Sequence, residues 1–275
     1  MMTLQEAISK RHSIRSFTEQ TIDTTTISEL EDFISQNTNG LIDEPIKLQI
    51  VQTSGKSNKK IKLNYGMIKN NHSYILGTAL NSPISRTNYG FALEKAVLKA
   101  TSLGLGSCWI GYFDNEYFSD FNIAHSEDIP ALVVFGIPSD TVPFSNKLAR
   151  AIVGASHRKE WDFLFFEDKP QLPLSKNFLG EYKQALEMLR LAPSAGNTQP
   201  WRVVFNRSAE TFHFFKLPVS SLYEKKGLHD IDLGIALSHF DLSLQMSNIS
   251  GKWHIAESNI SEKGWEYMIS WTKKN

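Results

Sequence analysis

The sequence predicts an α+β fold of two related halves, each an antiparallel-rich sheet flanked by helices. Three observations predict it. Strand-length runs, alternating or wholly apolar, lie between helical stretches. Two long helices carry the same residues at one constant offset. A polar, Pro-rich stretch separates the two copies.

The elements follow in order. Thr3 to Lys10 reads as a helix, with Leu4, Ala7 and Ile8 at helical spacing and a Thr3/Glu6 capping box. A second helix spans about Thr26 to Ser35. Ile46 to Gln52 alternates as a strand does, and Ser73 to Ala79 reads as a buried strand. Tyr89 to Leu103 carries an apolar stripe of Ala92, Leu93, Ala96, Val97 and Ala100, and Gly104-Leu-Gly106 then suits a C-cap and a turn. Ile129 to Ile137 is a buried strand. The linker is read at 166–177, between a first half at 1–165 and a second at 178–275. The second half runs as helix Gly180–Leu191, strands Trp201–Phe205 and Thr211–Lys216, long helix Leu233–Met246, and strands Trp253–Glu257 and Glu266–Trp271.

The repeat links the long helices. Gly90, Ala92, Leu93, Leu98 and Trp109 are matched by Gly234, Ala236, Leu237, Leu242 and Trp253, every pair 144 apart. Aligning Pro45 with Pro200 also sets one strand over another, each preceded by a helix. A period this long implies two copies of a domain rather than a solenoid. The long helices are expected to pack together at the centre.

Composition narrows the function. Lys plus Arg and Asp plus Glu both number 29, so the chain lacks the basic excess that phosphate backbones and membrane surfaces attract. No nucleic-acid or membrane partner is expected. The single cysteine, Cys108, permits no internal disulfide and no multi-cysteine zinc site. The other histidines show no paired metal-ligand spacing. No run reaches the roughly 18 apolar residues a membrane span needs, so a cytoplasmic location is expected.

Three segments carry candidate chemistry. Arg11, His12, Ser13 and Arg15 follow the first helix; they suit an oxyanion, or a solvated basic run at a helix end. Ala192 to Trp201 holds Pro193, Ser194, Ala195, Asn197 and Gln199, whose amides suit the edge of a planar ring, although Gly and Asn also make ordinary turns. Gly104 to Gly111 is Gly-rich around Trp109 and Ile110 without the lysine of a P-loop.

Together RHSIR, PSAGNTQPWR, GLGSCWIG and IPALVVFGIPSD resemble the nitroreductase family over most of the chain. The resemblance implies a nitroreductase-like fold that binds FMN and uses NAD(P)H to reduce nitroaromatic, quinone or similar small-molecule acceptors by ping-pong hydride transfer. Family members pair two subunits around each flavin. Here the PSAGN loop lies in the second half, and the corresponding place in the first holds only Asn37 to Pro45. That layout resembles fused pseudo-dimeric nitroreductases, with one FMN per chain, as a monomeric pseudo-dimer or a homodimer.

The resemblance also assigns roles. Arg11, His12 and Ser13 would hold the phosphate with Arg158 and Lys159. Arg15 would sit near flavin N1 and O2, where reduction places negative charge. A backbone N–H near Ile110 or Gly111 would face N5, beside Trp109. Asn64 would contact the ribityl chain or pyrimidine edge, or be a turn residue. Pro193, Ser194, Ala195, Asn197 and Gln199 would complete the site from the second half. No side chain is expected to act as general acid or base. The alternatives are a flavin-storage module without turnover, or another flavin chemistry such as dehalogenation.

Overall fold

The computed structural model describes residues 2–37, 39–42, 44, 46–52, 68, 70, 73–114, 123–139, 157–256 and 259–274. The expected elements form, with some limits moved. Helix α1 is Leu4–Lys10, and its capping box is made: Thr3 Oγ1 accepts the Glu6 N–H while the Glu6 carboxylate accepts the Thr3 N–H. Helix α2 is Thr24–Gln36, started by Asp23. Strands β1 (Leu48–Gln52), β2 (Ser73–Gly77) and the short β3 (Ala79–Leu80) follow.

Helix α3 spans Pro83–Ser102 and so begins six residues before the expected Tyr89. Ser82 caps it and Pro83 occupies its first turn, where a missing N–H costs nothing. The helix is buried nearly all round rather than along one stripe. The expected turn after Gly104 is instead strand β4, Gly106–Ile110. Its side chains alternate: Cys108 and Ile110 face one apolar cluster, and Trp109 packs on the other. Strands β5 (Glu127–Asp128) and β6 (Leu132–Gly136) complete this half.

The stretch at 166–177 is folded rather than a loose tether. Phe165–Glu167 form β7, and Leu174 is buried, its N–H donating to the Phe165 carbonyl at 3.0 Å. The apolar run at 164–166 outweighs the proline signal there. Next come α4 (Lys183–Arg190), β8 (Trp201–Asn206), β9 (Thr211–Lys216), the unexpected short helix α5 (Ser221–Lys225), α6 (Leu228–Met246), β10 (Gly251–His254) and β11 (Glu266–Lys273).

The two sheets have the same plan. The first runs β1-β2-β6-β4 and the second β8-β9-β11-β10, with β7 added on the β8 edge. In each, the chain makes two neighbouring strands, crosses by a long helix, and returns as an outer then an inner strand. All pairings are antiparallel except β7 with β8.

Helices α3 and α6 pack against each other, and the glycines show how closely. A Cβ on Gly90 would collide with the carbonyl of Ile231, and one on Gly234 with the carbonyl of Thr87. Thr87 and Ile231 stand 144 apart, as Gly90 and Gly234 do, so the contact is reciprocal, as at a two-fold interface. Glycine inside a helix costs roughly 1 kcal/mol; here it admits a backbone approach that no other residue allows.

Candidate functional site

The RHSIR segment is placed by β4. Ser13 bridges Ser107 in parallel register, and the Ile14 N–H donates to the Ser107 carbonyl at 2.8 Å. Arg11, Ser13 and Arg15 gather near Cys108. Burial raises the Cys108 thiol's pKa, opposed in turn by Arg15, a hydrogen bond with Ser13, and Arg11. The thiol is therefore held protonated, as a small buried residue rather than a nucleophile.

The arginines of this segment are under-used. Arg15 Nε and Nη1 are buried without a hydrogen-bond partner among the described residues, and so is Arg11 Nε. Arg11 Nε lies 3.9 Å from Glu94 Oε1, a charge contact too long for a hydrogen bond. Buried donors are normally satisfied, so these point to a missing acceptor. His12 is exposed, its ring nitrogen 3.1 Å from the Lys10 carbonyl.

The second-half loop is tightly wound. Gly196, Asn197 and Gln199 have φ of 56°, 55° and 48°, left-handed values that non-glycine residues adopt at a cost of about 1–3 kcal/mol. A side chain at Gly196 would collide with Tyr223 on α5. Ser194 Oγ accepts the Gln199 N–H at 2.9 Å, and Asp232 Oδ1 accepts the Ala195 N–H at 2.8 Å. Pro193 is half-buried at the loop's start.

His157 to Lys159 braces the loop. Arg158 Nη1 donates to Asn197 Oδ1 at 3.2 Å and Nη2 to the Leu191 carbonyl at 3.0 Å. Asn197 Nδ2 donates to the His157 carbonyl at 2.9 Å. Gln199 Oε1 accepts the Lys159 N–H at 2.8 Å, and Lys159 Nζ donates to the Thr198 carbonyl at 2.7 Å. The Asn197 and Gln199 amides thus orient the cations beside them.

Charge joins the two segments. Burial pushes the Arg158 pKa down to about 10, and repulsion from Arg11 and then Arg190 adds to it. Burial, then Arg202, takes Lys159 to about 8, and burial alone takes Arg202 to about 10. Arg11, near the start, and Arg158, bonded to Asn197 past the middle, therefore share one neighbourhood. Crowded, partly desolvated cations are what an anion would relieve.

Gly111 carries the first half on to the second, lying against the Leu228 side chain at the start of α6. Ile110 is buried in the β4–β6 cluster, and Trp109 donates Nε1–H to Glu94 Oε2 at 2.7 Å. Asn64 lies outside the described residues. No cluster of three or more metal-ligating side chains occurs among the described residues, and no helix there is long and apolar enough to cross a membrane.

Sequence reasoning missed Glu94, Asp232 and His239, all buried. Each lies on a long helix among several other polar residues, so helical position alone does not single it out. Asp232 also sits 144 after Asn88, so extending the repeat two residues upstream from Gly90 and Gly234 reaches it.

The family described as Putative TM nitroreductase matches residues 3–244. Among solved structures, a "putative nitroreductase" from Thermotoga maritima aligns with 22% identity over 99% of this chain and 93% of its own, at a TM-score of 0.63. A nitroreductase family protein from Clostridium novyi aligns with 24% identity over 50% of this chain and 87% of its own, at 0.41. A nitroreductase with bound FMN from Bacteroides fragilis aligns with 16% identity over 52% and 92%, at 0.41. No curated protein matches.

Proposed function

Since the chain belongs to the Putative TM nitroreductase family, we propose that it is an FMN-dependent oxidoreductase whose flavin site is shared by its two halves. The observation that carries this is the cation cluster. Arg11 and Arg15 hold buried, unsatisfied donors, and Arg158 and Lys159 have depressed pKa values beside the loop at 192–199. A phosphate monoester fits that set: several N–H donors, excess positive charge and no carboxylate among the cluster's own residues.

In this reading Arg11, Ser13, Arg158 and Lys159 hold the phosphate, with His12 at its solvent edge. Arg15 keeps a fixed positive charge toward the pyrimidine edge, where it favours the reduced state. The backbone near Ile110 and Gly111 faces N5. Pro193, Ser194 and Ala195 form the opposite wall, and Asn197 and Gln199 aim Arg158 and Lys159. Bound FMN supplies the hydride-accepting ring; NAD(P)H is the donor, and a nitroaromatic, quinone or similar small molecule the acceptor.

The halves are read as an internal duplication, at 1–165 and 178–275. The common strand order, the repeat of 144 and the reciprocal glycines support it. One site per chain is the reading because the Pro-Ser-Ala-Gly-Asn run at 193–197 occurs once, and 37–45 in the first half lacks it. The chain then needs no second copy to complete its flavin site.

The test is reduction of the bound flavin by NADH or NADPH, followed by turnover on nitrofurazone, menadione and iodotyrosine. Bleaching within seconds and reoxidation by the nitro compound or quinone are expected. No reduction by either nucleotide would leave a flavin-storage module; iodotyrosine as the one working acceptor would mean dehalogenation.

A further inference from the structure

We propose that Glu94 is a positioning residue that aims Arg11 at the FMN phosphate and is itself held from the other half by His239; this rests on the shared-site reading above. Glu94 is fully buried on α3. Its Oε2 accepts the Trp109 Nε1–H at 2.7 Å. Its Oε1 lies 2.9 Å from His239 Nε2 and 3.9 Å from Arg11 Nε. One carboxylate thus touches the phosphate arginine, the tryptophan of β4 and the facing helix.

His239 extends the contact to the loop. Its Nδ1 is 3.0 Å from the Met188 carbonyl, which can only accept, so Nδ1 donates there, and the 2.9 Å contact of Nε2 with Glu94 is bridged by a further proton that the pair shares. Met188 lies on α4, three residues before Leu191, whose carbonyl receives Arg158. The path from Arg11 through Glu94, His239 and α4 ends at the second cation of the same cluster.

A buried carboxylate is costly unless it is fully engaged. Here it neutralises part of the Arg11 charge while burial works against that charge. A guanidinium drawn by charge toward Glu94 at 3.9 Å, with no hydrogen bond between them, keeps its N–H donors available to an acceptor on another side, because its donor fork is planar and rigid. The neighbouring Arg158 feels the result as repulsion.

The experiment compares FMN with riboflavin, which lacks the phosphate, by titration into the flavin-free full chain. Glu94→Gln keeps the size and the acceptor for Trp109 but removes the charge. It should lower the FMN-to-riboflavin affinity ratio about tenfold, the scale of one charge-assisted hydrogen bond, and Arg11→Ala should do the same. His239→Asn can still donate to Met188 but is too short to reach Glu94. It should lower the ratio in the same direction and serves if Glu94→Gln fails to fold. Equal weakening of both flavins, or no change, in the Glu94 and His239 variants would make the node merely structural and overturn the proposal. An unchanged ratio in Arg11→Ala would instead remove the phosphate from Arg11, and the shared-site reading would fall with it.

Discussion

In the proposed reading of two related halves, the described residues of 37–45 correspond to the loop at 192–199, and the two differ. Each is tied to its central helix by a residue at the same repeat position. In the first half Asn88 Oδ1 accepts the Leu41 N–H, and its Nδ2 donates to the Glu44 carbonyl at 3.2 Å. In the second Asp232 Oδ1 accepts the Ala195 N–H, while Oδ2 has no partner among the described residues. The first loop buries Leu41 in the central core and has no cation of its own. The second keeps Asn197 and Gln199 at left-handed φ and gathers Arg158 and Lys159 around them. The first loop thus packs an apolar side chain into the core, whereas the second lies beside partly desolvated cations. The difference lies in a few side chains at the loops, not in the sheets.

Where the halves remain alike, substitutions should act alike. Gly90→Ala and Gly234→Ala each drive a Cβ into a carbonyl of the facing helix. Each should cost about 3 kcal/mol, read as similar drops in denaturant midpoint. A large effect in one and none in the other would break the two-fold description of the α3–α6 contact.

Where the loops differ, the paired variants should part. Asn88→Ala strands the Leu41 N–H and Glu44 carbonyl and should lose about 1–3 kcal/mol, with FMN affinity within about twofold of the parent. Asp232→Ala strands the Ala195 N–H for a similar loss of stability, and should also weaken FMN about tenfold. Thermal melts beside FMN titrations check both; equal FMN loss in the two would erase the distinction between the two loops.

The contrast explains what could be read in advance. The sheets and long helices were legible because apolar periodicity and the repeat at 144 recur along the chain. Strand β4 was not, since Gly104 and Gly106 signal a turn, whereas Gly106 to Ile110 pair with β6 and Ser107 also bridges Ser13. The 166–177 stretch reads as a linker because Pro170, Pro173 and their polar neighbours dominate it, whereas Phe165 to Glu167 pair as a strand and Leu174 is buried. The segments RHSIR and PSAGN were visible as motifs. The roles of Glu94, His239 and Asp232 were not, because one polar residue among several in a helix gains meaning from the partner opposite it. The bracing work of Asn197 and Gln199 was also hidden: the sequence shows two amides, and the structure shows them spent on 157–159.

Two smaller effects concern pH. Lys159 sits at about 8 against an ordinary 10.5. A bound phosphate favours its charged form, so FMN affinity should hold up to about pH 8 and decline above it. Over the same window, from about 8 to 10.5, the flavin-free chain gains stability with rising pH, because the unfolded lysine keeps its proton longer. Lys159→Arg should flatten the alkaline decline in affinity; a decline of the same slope would assign it elsewhere.

Burial first, then repulsion from Asp230, holds the Asp232 carboxyl well above its ordinary value, against the Ala195 N–H. A raised carboxyl means that stability falls as pH climbs from the unfolded value, about 3.9, through the folded one. Asp232→Asn keeps the acceptor for Ala195 and should remove that fall, with little change at acid pH. It would make the second loop's tether resemble the first's. A pH–stability curve that is unchanged in the variant would mean that Asp232 is not the group responsible.

The most direct test of a single flavin site built from both halves is an FMN titration of the flavin-free chain alongside Arg11→Ala and Asn197→Ala. The account predicts one FMN per chain, weakened at least about tenfold by either variant, although the two residues lie in different halves. Two FMN per chain, or full affinity in either variant, would contradict it.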